Sequence, residues 1–185
     1  MTPDKLLDAA EALVTAARRL GADAADAVGR ASTSHGVGVR LGALEELDSS
    51  ASVEVGLRAF VGSRSASVAS ADLSPAGIAE LASRAVAMAR LAPEDPFAGL
   101  APADALAQSP FPDLAIADDT ELTPEALRER ALAVEDAARG VAGVTNSEGG
   151  SATITRAASA LVTSTTLALG FTSPRSRIVR NESMY

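Results

Sequence analysis

Val53, Val55, Leu57, Ala59 and Val61 alternate with Glu54, Gly56, Arg58 and Phe60. That period of two suits a strand with two unlike faces and little else. Gly62-Ser63 supplies a two-residue turn, with Gly at the position that needs positive φ. Arg64 to Ser70 returns with Ala66 and Val68 in phase. Upstream, Val37, Val39 and Leu41 alternate in the same way, Gly42-Ala43 turns the chain, and Leu44 to Ser50 returns. The spacing predicts an antiparallel sheet of consecutive hairpins over residues 37–75. Asp72-Leu73-Ser74-Pro75 closes it and opens a helix.

A half-apolar sheet needs cover, and three helix starts share one signal. Thr2-Pro3, Ser74-Pro75 and Thr123-Pro124 each place a hydroxyl at the N-cap and Pro at the first helical position. The hydroxyl accepts an orphan N–H, and Pro has none to waste. The first helix is expected from Pro3 to Leu20, with Leu6, Leu7, Ala10, Leu13, Val14, Ala17 and Leu20 inward. The second runs from Pro75 to Leu91, with Ile78, Leu81, Ala82, Ala85, Met88 and Ala89 inward. The third runs from Pro124 to Arg139, with Leu127, Ala131, Val134 and Ala138 inward. Aromatic content is 3% with no Trp, so Ala, Val and Leu must fill the core through close helix–sheet contact. The fold class that follows is α+β: an antiparallel sheet of hairpins covered on one face by two or three helices.

Other segments are less regular. Ala24 to Ser32 reads as a first strand. Residues 92–122 hold Pro93, Pro96, Pro102, Pro110 and Pro112, which forbids regular structure across them. They form an irregular connector, with Phe97, Leu100, Phe111 and Leu114 as anchors onto the core. Val141 to Ser147, Ser151 to Arg156 and Ala158 to Leu169 read as further strands, with a turn at Glu148-Gly149-Gly150. The organisation expected is a domain over residues 1–169 and a divergent, disordered tail over 170–185.

The chemistry is sparse. A net charge of -8 argues against a nucleic-acid partner, which wants a basic stripe. With no Cys, disulfides, thiolate catalysis and Cys-ligated metals are excluded. The first twenty residues carry acids early and lack a long apolar run. They do not read as a signal peptide, and no stretch spans a membrane, which points to the cytoplasm.

His35 is the only histidine; a metal site wants several converging ligands, so an ordinary loop or turn residue is the better reading. Gly36, Gly38 and Gly42 lack the spacing of a phosphate loop and fit close approaches in a twisted sheet. Glu45, Glu46 and Asp48 suit a solvated face, because adjacent strand residues point to opposite sides. Asn146, Ser147 and Glu148, followed by Gly149, make a polar segment with a carboxylate. Turn chemistry accounts for it, and a surface that meets a peptide or partner subunit is the alternative.

At this level the residues describe an α+β domain without catalytic apparatus. The segments also carry a family likeness. GLRAFVGSRSASVASADLSP, the helix from Ile78 to Leu91 running into Ala92-Pro93-Glu94-Asp95-Pro96, and VTNSEG at Val144 to Gly149 occur in that order. Together they resemble the N-terminal half of the TldD/PmbA family, in its PmbA (TldE) branch, from about Leu6 to Leu169.

The resemblance implies a cytoplasmic heterodimeric metalloprotease that degrades peptides and matures peptide precursors, in a family linked to modulation of DNA gyrase. It implies a zinc-binding helix in a TldD-like partner and none in this chain. Catalytic and metal residues here are therefore expected to be none, with a TldD-like subunit and a peptide as partners. Family members run to more than twice this length, so a truncated or frameshifted frame, or a fragment, is expected. The rival expectations are a stand-alone interaction module that pairs with itself and, less well supported by one His and no Cys, an independent hydrolase.

Overall fold

The computed structural model describes residues 3–105, 120–164 and 179–184. Helix α1 (Pro3–Arg19) precedes strands β1 (Ala24–Arg40), β2 (Ala43–Val61) and β3 (Arg64–Ser70). Helix α2 (Pro75–Leu91), a short 3-10 turn (Ala103–Ala105), helix α3 (Pro124–Arg139), β4 (Gly150–Thr163) and β5 (Val179–Met184) complete the order. The strands form one sheet in the order β3-β2-β1-β4-β5. The helices pack on an antiparallel sheet, so the α+β class holds.

Two of the start signals act as expected. Ser74 Oγ accepts the Gly77 N–H at 3.1 Å, and Thr123 Oγ1 accepts the Ala126 N–H at 3.2 Å. Thr2 lies outside the described residues. The hairpin from Val53 to Ser70 keeps the expected register, with Val61 opposite Arg64 and Val55 opposite Ser70.

Contacts divide the described chain into two compact units. In the first, α1 and α2 cover the opening of β1, the end of β2, β3 and the end of β4. Its core joins Leu13, Ala17, Val55, Leu57, Leu81, Val86 and Val162. Small residues let the layers approach: a Cβ on Gly29 would lie 3.0 Å from the Leu6 carbonyl oxygen. The second unit holds Ser32–Ser52, α3 and the opening of β4. Its core is Val37, Val39, Leu127, Ala131 and Ala152.

Several expectations are corrected. Ala24–Ser32 and the strand at Val37 are one strand of 17 residues, and Leu44–Ser50 merges with Val53–Val61 into one of 19. Polar residues between them looked like breaks, but cross-strand partners satisfy them. Ser32 meets Ser52 at 2.8 Å, Ser34 meets Thr155 at 3.0 Å, and His35 Nδ1 meets Ser49 Oγ at 3.1 Å. Ser151–Arg156 and the start of Ala158–Leu169 likewise join as β4; residues 165–169 lie outside the described residues.

Val141–Ser147 is no strand. It turns at Ala142-Gly143, where Gly143 has φ +92°, and then runs irregularly to Gly149. Gly149 and Gly150 lead straight into β4 instead of making the expected turn. In the tail, Val179–Met184 pairs as β5, since edge pairing uses main-chain groups and needs no apolar pattern.

Side-chain expectations shift by part of a turn. In α2, Val86 is buried and Met88 is half-exposed. In α1, Ala9 is buried; Leu20 lies just past the helix and is exposed. In α3, Val134 and Ala138 face outward and Glu135 faces in. Phe97 is no anchor: its side chain is 93% exposed. Hydrogen bonds hold that turn instead, with the Phe97 N–H donating to Asp95 Oδ1 at 2.9 Å and the Asp95 N–H to the Ser63 carbonyl at 2.8 Å. Phe111 and Leu114 lie outside the described residues.

Leu13→Ala removes a fully buried side chain and should cost about 2–5 kcal/mol. Phe97→Ala should change stability by less than about 0.5 kcal/mol. Urea midpoints of the two variants check both.

Candidate functional site

A buried polar arrangement surrounds the turn between β1 and β2. The turn residues are Leu41 and Gly42, one step earlier than the spacing suggested. Both have positive φ, +51° and +80°. Gly adopts this freely, whereas Leu pays roughly 1–2 kcal/mol for the clash of its Cβ with the following carbonyl.

The compensation comes from α3. Glu135 is fully buried. Its Oε1 accepts the Leu41 N–H at 2.7 Å, and its Oε2 accepts the Gly42 N–H at 2.8 Å. One carboxylate thus holds both turn amides, and charge-assisted bonds of this kind are the strong ones.

Glu135 reaches the turn because Leu127, Ala131 and Glu135 stand four residues apart on one stripe of α3, and all three are buried. Helix and sheet come close because two glycines allow it. A Cβ on Gly150 would lie 2.3 Å from the Ala131 carbonyl oxygen and 3.0 Å from the Glu135 nitrogen. A Cβ on Gly149, whose φ is +110°, would lie 2.4 Å from the Val39 carbonyl oxygen.

The Gly42 N–H does most to hold the Glu135 carboxyl below its ordinary pKa. Burial opposes it, while the Leu41 N–H, the Ser147 hydroxyl and the Arg139 charge add to it. A depressed folded-state pKa stabilises the fold above the unfolded value and loses that effect as pH falls through the folded one.

Of the three residues singled out from sequence, Ser147 belongs to this cluster. It is half-buried, contributes to Glu135 and accepts the Gly149 N–H at 2.9 Å. Asn146 and Glu148 are exposed beside it. His35 is exposed and meets Ser49, well apart in sequence from that segment. Gly36 and Gly38 sit inside β1 at close approaches, each 3.2 Å from a side-chain atom if given a Cβ.

Glu135 was missed because a Glu in a helix reads as solvated. The four-residue spacing from Leu127 and Ala131 was the signal that could have found it. With both oxygens committed to main-chain N–H groups, it is a structural clamp and is poorly placed to take a substrate proton.

Residues 25–89 match the model of the PmbA/TldA metallopeptidase domain 1. Over 130 residues the chain is 33% identical to metalloprotease PmbA of Escherichia coli O157:H7, covering 70% of this chain and 29% of that protein. The chain carries the first domain of the PmbA/TldD family.

Solved structures agree on the fold. A protein described as a modulator of DNA gyrase, from Bacteroides thetaiotaomicron, matches with TM-score 0.78 and 20% identity over 96% of this chain and 38% of its own. TldE from Thermococcus kodakarensis matches with TM-score 0.68 and 18% identity over 95% and 37%. The chain thus spans about a third of the length of these relatives.

The family is one of metallopeptidases, and the described residues do not fit a metal. No group of three or more His, Asp or Glu side chains among them is placed to hold one. His35 stands with Ser49, and both Glu135 oxygens hold the turn.

Gly150→Ala should cost roughly 1–3 kcal/mol by forcing β4 away from α3, read as a lower urea midpoint. Glu135→Gln leaves one turn N–H facing an amide donor. It should lower the melting midpoint at neutral pH and flatten the fall in that midpoint as pH drops below the ordinary glutamate range of about 4–5. Thermal melts across an acid pH series check both parts.

Proposed function

We propose that this chain is the N-terminal domain of a PmbA/TldE-like, non-catalytic subunit of a cytoplasmic metallopeptidase that acts on peptides. The zinc, on this reading, sits in a TldD-like partner. The 33% identity to PmbA carries the reading. Two features support it: Glu135, the buried carboxylate, holds a turn, and the single His lies on an exposed strand segment.

The domain's work is then to present surface, both to the catalytic subunit and to the peptide. Asn146, Ser147 and Glu148 form the partner-facing segment in this proposal. Ser147 lies against the Glu135 carboxylate and accepts the Gly149 N–H, and the exposed Asn146 and Glu148 side chains flank it.

Co-expression with a TldD-like protein tests the proposal. Size-exclusion chromatography should show a joint complex, with chelator-sensitive peptidase activity in the complex and none in the isolated chain. Asn146→Ala/Glu148→Ala should weaken the complex without changing the melting midpoint of the chain. Two well-folded proteins that elute separately would refute the subunit reading, as would chelator-resistant peptidase activity in the chain alone.

A further inference from the structure

The outer edge of β2 is a second surface, independent of the subunit reading. β3 pairs with β2 only between Val55 and Val61. From Ala43 to Ser52 every residue is exposed. β1 occupies the other side of this stretch, through Ser32 on Ser52 and His35 on Ser49. Among the described residues no strand takes the outer edge. Its outward N–H and C=O groups therefore form a template for one more strand.

The edge is also anchored at one end. Its hairpin ends at Leu41-Gly42, whose amides Glu135 holds from α3. An ordered edge spares an incoming strand part of the ordering cost.

Charge narrows the occupant. No Lys or Arg occurs between Ala43 and Leu57, whereas Glu45, Glu46 and Asp48 lie on the edge. Strand alternation places Leu44, Glu46 and Asp48 on one face and Glu45 and Leu47 on the other. Arg40 offsets Glu45 at 3.8 Å, so one face keeps an acidic pair. The other carries Leu47, which is 66% exposed.

Acidic residues on an edge also guard against pairing, and here they disfavour a second copy of the same edge by like-charge contact. The same charges select a strand of opposite sign. We propose that this edge receives, by strand addition, an extended basic segment of a partner polypeptide, with Lys or Arg on the face of Glu46 and Asp48 and apolar residues on the face of Leu47.

The test uses the 185-residue chain and a fluorescein-labelled peptide of about ten alternating Val and Lys residues. Anisotropy should rise to saturation at about 0.1 M salt, and amide exchange should slow within residues 43–52. The variant Glu46→Lys/Asp48→Lys should weaken binding about tenfold, and Glu46→Gln/Asp48→Asn should weaken it less. A peptide N-methylated at alternate residues should not bind.

The proposal falls if the Val-Lys peptide does not saturate, or if the N-methylated peptide binds as well, which would mean charge adhesion alone. It also falls if sedimentation shows self-association that protects residues 43–52 without peptide, which would make a second copy the occupant.

Discussion

A buried carboxylate organises the second of the two compact units. Glu135 joins α3 to the turn between β1 and β2 through two main-chain bonds. An anion in the interior is tolerated only where hydrogen bonds replace its water, and here the turn amides do so. In return the carboxylate stabilises a turn in which a leucine adopts left-handed backbone. Each unfavourable feature offsets the other, so neither is expected to survive alone.

The clamp also explains the glycines. For Glu135 to reach the turn, α3 must lie almost on the chain entering β4. Gly149 and Gly150 leave no side chain between that backbone and Val39, Ala131 or Glu135. The same logic, without a charge, builds the other unit, where Gly29 and alanines on α1 and α2 bring helices close to the sheet. A chain with almost no aromatic bulk gains its dispersion contacts by proximity. Within the part of β2 that β3 does not pair, Ala43–Ser52 stays exposed.

The family's chemistry is metal-dependent, yet this domain spends its buried acid on architecture. That use of the acid fits the proposed reading, in which the domain contributes surface. An open, acidic strand edge, and a separate polar segment in which Ser147 accepts the Gly149 N–H, are the exposed features of this unit.

The sequence by itself determined what local physics controls. Hydroxyl–proline pairs set the starts of α2 and α3, and Gly62-Ser63 with strict alternation set the hairpin from Val53 to Ser70. Alternation also marked Val37, Val39, Val55 and Leu57 as core. The three separated segments pointed to the right family. Only the tertiary structure decided how long the strands run, because the Ser and Thr residues in mid-strand are satisfied by partners far away in the chain. It also decided that Glu135 turns inward and Val134 outward. Helical spacing allowed both orientations, and the choice depended on two unpaired amides some ninety positions earlier. Phe97 shows the same limit in reverse: a large apolar side chain near prolines reads as an anchor, but hydrogen bonds to Asp95 and Ser63 fix its turn and leave the ring in solvent.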